Sequence, residues 1–185
     1  MKILAFAASS SRNSINKALV THATQRLQAE FLPDAEVEIL DLNDYEMPLY
    51  SIDREREGGI PEQAQRFFEQ IGQADALVIS YAEHNGTYTA AFKNLFDWTS
   101  RIQQKIHQNK PMVVMAASPG GRGGAGVLQA ALGAAPHFNG DVVANLSVPR
   151  FGSNFDAETG ALTNPELAEG LGQALKTLAE RLGSV

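Results

Sequence analysis

A doubly wound α/β fold, with five parallel strands in the order 2-1-3-4-5 and helices on both faces, is predicted by two patterns in the chain. Short apolar runs alternate five times with segments whose apolar residues recur at helical spacing. Two of the runs, 76–79 and 112–117, are apolar almost without interruption, as strands covered on both faces are. Right-handed crossovers between such strands leave few topologies.

The elements follow in order. The first strand is expected at Lys2–Ala8, followed by a helix carrying Ile15, Leu19, Ala23 and Leu27. A second strand is expected at 36–42, a third at 76–81, a fourth at Pro111–Ala117 and a fifth at Asp141–Val148. Phe92, Leu95, Phe96 and Trp98 mark the helix after the third strand, and Leu167, Leu171, Leu175, Leu178 and Leu182 mark the last one. Five βα units without a sixth strand favour the flavodoxin-like order over the longer dinucleotide-binding order. No repeat or domain linker interrupts the 185 residues, so one domain spanning 1–185 is expected. Two stretches rich in Gly, Pro and charge, 43–59 and 149–164, read as long loops, which in compact domains often serve function.

Composition removes several function classes. With 15 basic and 21 acidic residues the net charge is −6, and no basic run occurs, which disfavours non-specific nucleic-acid or acidic-membrane binding. Cysteine is absent, so thiol redox motifs, iron–sulfur clusters and zinc ribbons are excluded, and any redox chemistry must be carried by a cofactor. The apolar stretch 3–8 is too short for a signal-peptide core, and no run approaches the roughly 18 residues of a membrane span. The expected compartment is the cytoplasm, with no membrane insertion.

In a doubly wound sheet, ligands bind beyond the carboxyl ends of the strands where the strand order reverses. The loops after strands 1, 3 and 4 are therefore the informative ones. The first reads Ser9, Ser10, Ser11, Arg12, Asn13, Ser14, Ile15, Asn16 and opens a helix. A helix start offers unpaired N–H groups and the positive end of the macrodipole, and serine hydroxyls add donors without bulk. One residue, Ser14 or Asn13, suffices to cap a helix. Four serines with an asparagine and an arginine exceed a cap and suit a phosphate monoester.

The second loop, Ala82, Glu83, His84, Asn85, Gly86, Thr87, can set backbone N–H groups against the edge of a flat heterocycle. As a metal site it is weak, because Glu83 and His84 are adjacent and His22, His107 and His137 stand at unrelated places. A lone loop histidine is more often an exposed polar residue than a catalyst.

The third loop, Ser118, Pro119, Gly120, Gly121, Arg122, Gly123, Gly124, Ala125, Gly126, contains a literal G-x-G-x-x-G at Gly121–Gly126. A dinucleotide fingerprint sits tightly between a strand and its helix, usually in the first βα unit. Here Pro119 and an extra glycine lengthen the turn, and close approach of backbone to a planar ring explains the same residues. No G-x-S-x-G elbow or evident triad supports a hydrolase.

Together the three loops resemble the NAD(P)H-dependent FMN reductase family, which includes quinone, azo-dye and chromate reductases. The stretch 9–16 resembles its phosphate loop. AEHNGTYTAAFKNLFDWTSR at 82–101 resembles its PEYNG…KN..DW.SR signature, and SPGGRGG at 118–124 its third flavin loop. Phe155, Asp156, Gly160 and Leu162 match a C-terminal FD…G.L pattern. Ala82 stands for the usual proline, His84 for the usual tyrosine and Ala8 for a common glycine, and only Asn13 separates Arg12 from Ser14.

The resemblance implies bound FMN, with NAD(P)H as co-substrate. It implies that Ser9, Ser11, Arg12, Ser14, Ile15 and Asn16 hold the phosphate. Ala82, Glu83, His84 and Asn85 would flank the isoalloxazine and ribityl chain, with Ser118, Gly120, Gly121 and Arg122 closing the other side. The mechanism implied is ping-pong: hydride passes from the nicotinamide to flavin N5, and a small acceptor then takes the donor's place. No side chain is catalytic in this scheme, although His84 is placed to tune the ring. A homodimer or homotetramer is implied, in which the segment with Tyr45, Met47, Pro48, Leu49 and Tyr50 reaches a neighbour's flavin. Lys93, Asn94, Asp97 and Trp98 are expected to serve helix packing and a subunit interface. The alternative is a flavodoxin-type electron carrier without nicotinamide turnover.

Overall fold

The computed structural model describes residues 1–183; the last two positions of the expected domain lie outside the described residues. Five parallel strands form one sheet: β1 (Lys2–Ala8), β2 (Glu36–Leu40), β3 (Ala76–Ala82), β4 (Pro111–Ala117) and β5 (Asp141–Val148). Their order is β2-β1-β3-β4-β5, the flavodoxin-like arrangement. Strand alternation divides the core between two helix layers. Ile3, Ala5 and Ala7 of β1 face the layer of α1 (Ile15–Glu30) and α7 (Pro165–Arg181). Leu4, Phe6 and Ala8 face the opposite layer of α3 (Glu62–Gln73), α4 (Ala90–Ile102) and α5 (Ala125–Ala134). Because both faces are covered, β3 is buried at all seven positions, which is why Ser80 alone interrupts its run of apolar and aromatic residues.

The second strand is two residues shorter at its end than its apolar pattern predicts. Asp41 accepts from the Asn43 N–H at 3.0 Å and caps a 3-10 turn at Leu42–Tyr45, so Leu42 is buried in a turn instead of a strand. The two stretches read as long loops also contain regular structure. Within 43–59, Ser51 caps α2 (Ile52–Gly58), whose first turn carries Asp53 and Glu55, and Gly59 ends it at φ 74°. Within 149–164 lie α6 (Phe151–Asn154) and a hairpin of β6 (Phe155–Asp156) with β7 (Ala161–Leu162). These pieces are too short to show an apolar period. Phe151 and Phe155 stack 4.6 Å apart at this end.

At the opposite end of the sheet from the strand exits, His107 is buried and its Nδ1 has no hydrogen-bond partner among the described residues. Burial pushes its pKa down from 6.5 to about 4. The unfolded chain therefore takes up a proton between these values that the folded protein refuses. Stability is full above about pH 6.5 and falls as pH drops toward 4. At pH 5 the loss from this residue is about 2 kcal/mol. Urea unfolding at pH 7.5 and pH 5 checks this: His107→Leu is expected to remove that part of the pH dependence, and an unchanged difference between the two pH values refutes it.

Candidate functional site

The carboxyl ends of β1, β3 and β4 converge on a cavity of about 240 Å³. It is lined by Ser9, Ser11, Asn13, Ser14, Ile15 and Asn16 of the first loop, Ala82, Glu83 and His84 of the second, and Ala117, Ser118 and Pro119 of the third. Residues up to 110 positions apart in sequence are thus brought together as the strand order predicts. Arg12, Asn85, Gly120, Gly121 and Arg122 do not line this cavity. Arg12 instead lines a larger groove of about 580 Å³ between α1 and the β6–β7 hairpin, which shares Asn13, Ser14 and Ile15 with it. The smaller cavity is the better candidate despite its size, because all three chemically marked loops meet there.

Two of the helices that start at this end, α1 and α5, differ electrostatically. The first turn of α1 contains no acidic residue, so its N–H groups and dipole are open to an anion. Ser14 caps the helix by accepting from the Lys17 N–H at 3.3 Å. Its own O–H proton remains free to donate, so the capping and anion-binding roles coexist. The Ser11 N–H bonds Ser9 Oγ at 3.2 Å, which folds the loop back on itself. By contrast, Gly124 gives α5 no side-chain cap, and Glu83 supplies one from another loop: its Oε2 accepts from the Val127 N–H at 2.8 Å. A carboxylate therefore occupies the helix start that a dinucleotide fingerprint would use. Gly126 is required for packing, since a Cβ there would stand 2.6 Å from the carbonyl oxygen of Gly86. The glycine pattern at 121–126 thus serves loop contact, and a pyrophosphate on α5 would meet like charge.

The second loop is a tight two-residue turn. His84 and Thr87 exchange backbone hydrogen bonds of 3.0 and 3.2 Å, with Asn85 and Gly86 at φ 51° and 83°. Asn-Gly suits such a turn because both central residues must be left-handed. Asn85 thus has a conformational reason to be present, and His84 is exposed beside the cavity.

Each pair of loops is tied by one side-chain-to-backbone contact. Thr89 Oγ1 donates to the Ala8 carbonyl at 2.9 Å, joining the second loop's exit to the first loop's entry. Glu83 joins the second loop to α5 beyond the third. Asn16 joins the first loop to the third: Nδ2 donates to the Ala117 carbonyl at 3.2 Å, and Oδ1 accepts from the Ala117 N–H at 2.9 Å and from Ser80 Oγ at 2.8 Å. Oδ1 of Asn16 is thereby fully used and one Nδ2 hydrogen is taken by Ala117, which leaves the backbone N–H and the second Nδ2 hydrogen for a phosphate.

Two features escaped the sequence. Arg150, left-handed at φ 44°, donates its N–H to Gly120 O at 2.9 Å. Its guanidinium lies 3.5 Å from where a Gly121 Cβ would be, adding a cation to the third loop from 29 residues away. Asn94 and Trp98 hold the 47–50 segment. Asn94 Oδ1 accepts from the Tyr50 N–H at 2.9 Å, its Nδ2 donates to Met47 and Pro48 carbonyls at 3.2 and 3.1 Å, and Trp98 Nε1 donates to Pro48 O at 2.7 Å. Lys93 and Asp97 form an ion pair one turn apart along α4. Of the segment expected to reach a neighbour, Tyr45 is instead buried in the chain's own core against Phe67, whereas Leu49 is 68% exposed.

The fold and this three-loop cleft define a flavodoxin-like α/β protein in which α1 opens into the cleft without an acidic residue in its first turn. The chain belongs to the NADPH-dependent FMN reductase family, which it matches over residues 1–151. It is 33% identical over 124 residues to a quinone reductase of Escherichia coli K12, a match covering 62% of this chain and 66% of that protein. It is 32% identical over 120 residues to an NAD(P)H-dependent FMN reductase of Pseudomonas aeruginosa, covering 65% of this chain and 61% of that one. The match therefore spans just under two thirds of these relatives' lengths. Among solved structures, the flavoenzyme NAD(P)H:(acceptor) oxidoreductase of Paracoccus denitrificans shares the fold with a TM-score of 0.72 at 22% identity, over 97% of this chain and 95% of that one.

Proposed function

We propose that the protein is an FMN-dependent NAD(P)H oxidoreductase that reduces a small acceptor: a quinone, free flavin, azo compound or metal oxyanion. The observation that carries this reading is the uncompensated start of α1 opening into a cleft that two further loops complete. Family membership and the names of the relatives support it. The residues fit FMN. Ser9, Ser11, Arg12 and Ser14 with the N–H groups of Ile15 and Asn16 would hold the phosphate. The second and third loops, at Ala82, Glu83, His84, Asn85 and Ser118, Gly120, Gly121, Arg122, would flank the ring.

Bound FMN supplies the two-electron chemistry that no side chain of a cysteine-free chain offers. The protein's own work is to hold the ring rigidly, present N–H donors to it and limit water. Nicotinamide donor and acceptor would enter the same cleft in turn, the ping-pong order that the family resemblance implies. No helix among the described residues is long and apolar enough to cross a membrane, in keeping with a proposed cytoplasmic location. Leu49 and Ile52, exposed on the segment held by α4, support assembly into a homodimer or homotetramer.

Purified protein, or apoprotein given FMN, is expected to show flavin absorbance that bleaches anaerobically with NAD(P)H and returns on adding a quinone. Absence of FMN binding at micromolar concentration refutes the reading. Binding without nicotinamide turnover would leave an electron carrier.

A further inference from the structure

We propose that Asn16 is a positioning residue that, backed by Ser80, fixes the distance between the phosphate cradle and the third flavin loop. The inference rests on the FMN reading above. Asn16 is the second residue of α1, yet it is only 2% exposed and faces the sheet. Its amide grips both backbone groups of Ala117, the last residue of β4, from 101 positions away. Ala117 stands in register with Ala82, where the second loop leaves β3. One side chain therefore locks the height of the α1 N-terminus to the point from which both ring-flanking loops depart.

Ser80 makes this lock directional. Its hydroxyl, fully buried on β3, donates 2.8 Å to Asn16 Oδ1. With Ala117 N–H as the second donor, both faces of Oδ1 are used, and the amide is held with Nδ2 toward the Ala117 carbonyl. A single rigid ligand that must satisfy the cradle at one end and the loops at the other is sensitive to that spacing. Ser80 has no surface with which to touch a ligand. Any effect of Ser80 on flavin binding must therefore pass through Asn16 or the backbone it orders.

The test titrates FMN and riboflavin into apoprotein of the wild type, Asn16→Ala, Ser80→Ala and the double variant, and records the visible spectrum of the bound flavin. Wild-type FMN binding is read first, and its failure falls on the FMN reading itself. Asn16→Ala is expected to weaken FMN roughly tenfold, to leave riboflavin, which does not reach the cradle, nearly unchanged, and to shift the spectrum of bound FMN as the ring is reseated. Ser80→Ala is expected to act in the same direction more weakly, with no further effect in the Asn16→Ala background. Weaker FMN binding with an unaltered spectrum, and no effect of Ser80→Ala, would make Asn16 a direct phosphate ligand and overturn the proposal. A lowered melting temperature with unaltered flavin affinity and spectrum would make it a packing residue and also overturn it. If Asn16→Ala does not fold, the Ser80→Ala arm decides by the same flavin readouts.

Discussion

Trp98→Ala is expected to destabilise the protein by about 3–5 kcal/mol, in the range of a large aromatic removed from a packed interior. Trp98 is 1% exposed, stacks edge-on with Tyr50 at 5.0 Å and donates to Pro48 O. Its loss opens a cavity and frees the 47–50 segment together. Trp98→Phe keeps most of the volume and loses the hydrogen bond, so about 1 kcal/mol is expected from the bond itself. Urea unfolding gives both numbers. Limited trypsin digestion at Arg54 and Arg56, on the helix that follows the freed segment, reports its release. A Trp98→Ala cost below 1 kcal/mol would mean that α4 does not hold the segment.

The second large effect is on ligand affinity. In the proposed site Ser11 lines the cradle, and its hydroxyl has no partner among the described residues. A hydrogen bond to a charged group contributes about 1.5–3 kcal/mol, so Ser11→Ala is expected to weaken FMN roughly ten- to a hundredfold. Riboflavin, which lacks the phosphate, is expected to bind the wild type poorly and to be indifferent to the change. Ser11 caps no helix, so its melting temperature should hold steady, whereas Ser14→Ala would also forfeit about 1 kcal/mol as the α1 cap. Equal affinity of the wild type for the two flavins would remove the phosphate from this loop.

Most of the sheet was legible because its signals are local. Residues 76–79 and 112–117 are apolar on both faces, and one strand covered by two helix layers can look like nothing else at that length. The serine-rich start of α1, the proposed phosphate site, stands out in the sequence for the same reason: Ser9, Ser10 and Ser11 are consecutive and lead into a helix. What escaped were decisions made between distant segments. Asn16 belongs to the phosphate motif by position, yet Ala117 and Ser80 claim its amide. Asn94 and Trp98 were expected at packing or an interface, and their partners lie 44–50 residues earlier. Glu83 was expected at a ring edge and also caps α5. The short helix at Ile52–Gly58 announces itself through Ser51, Asp53 and Glu55, but it exposes too little apolar pattern for a periodicity argument to find.

The three ties between the loops have a consequence for how such a protein changes over time. Thr89, Asn16 and Glu83 act on backbone atoms of Ala8, Ala117 and Val127, and none of these contacts depends on which side chains occupy the loop tips. Shape and chemistry are therefore inherited separately. His84, Pro119 and Arg122 can be exchanged, by mutation or in a designed library, without loosening the frame that holds them. A scaffold wired in this way suits diversification of the ligands that the loop tips meet. Libraries confined to the tips should yield folded variants at high frequency, and libraries that include the three ties should not.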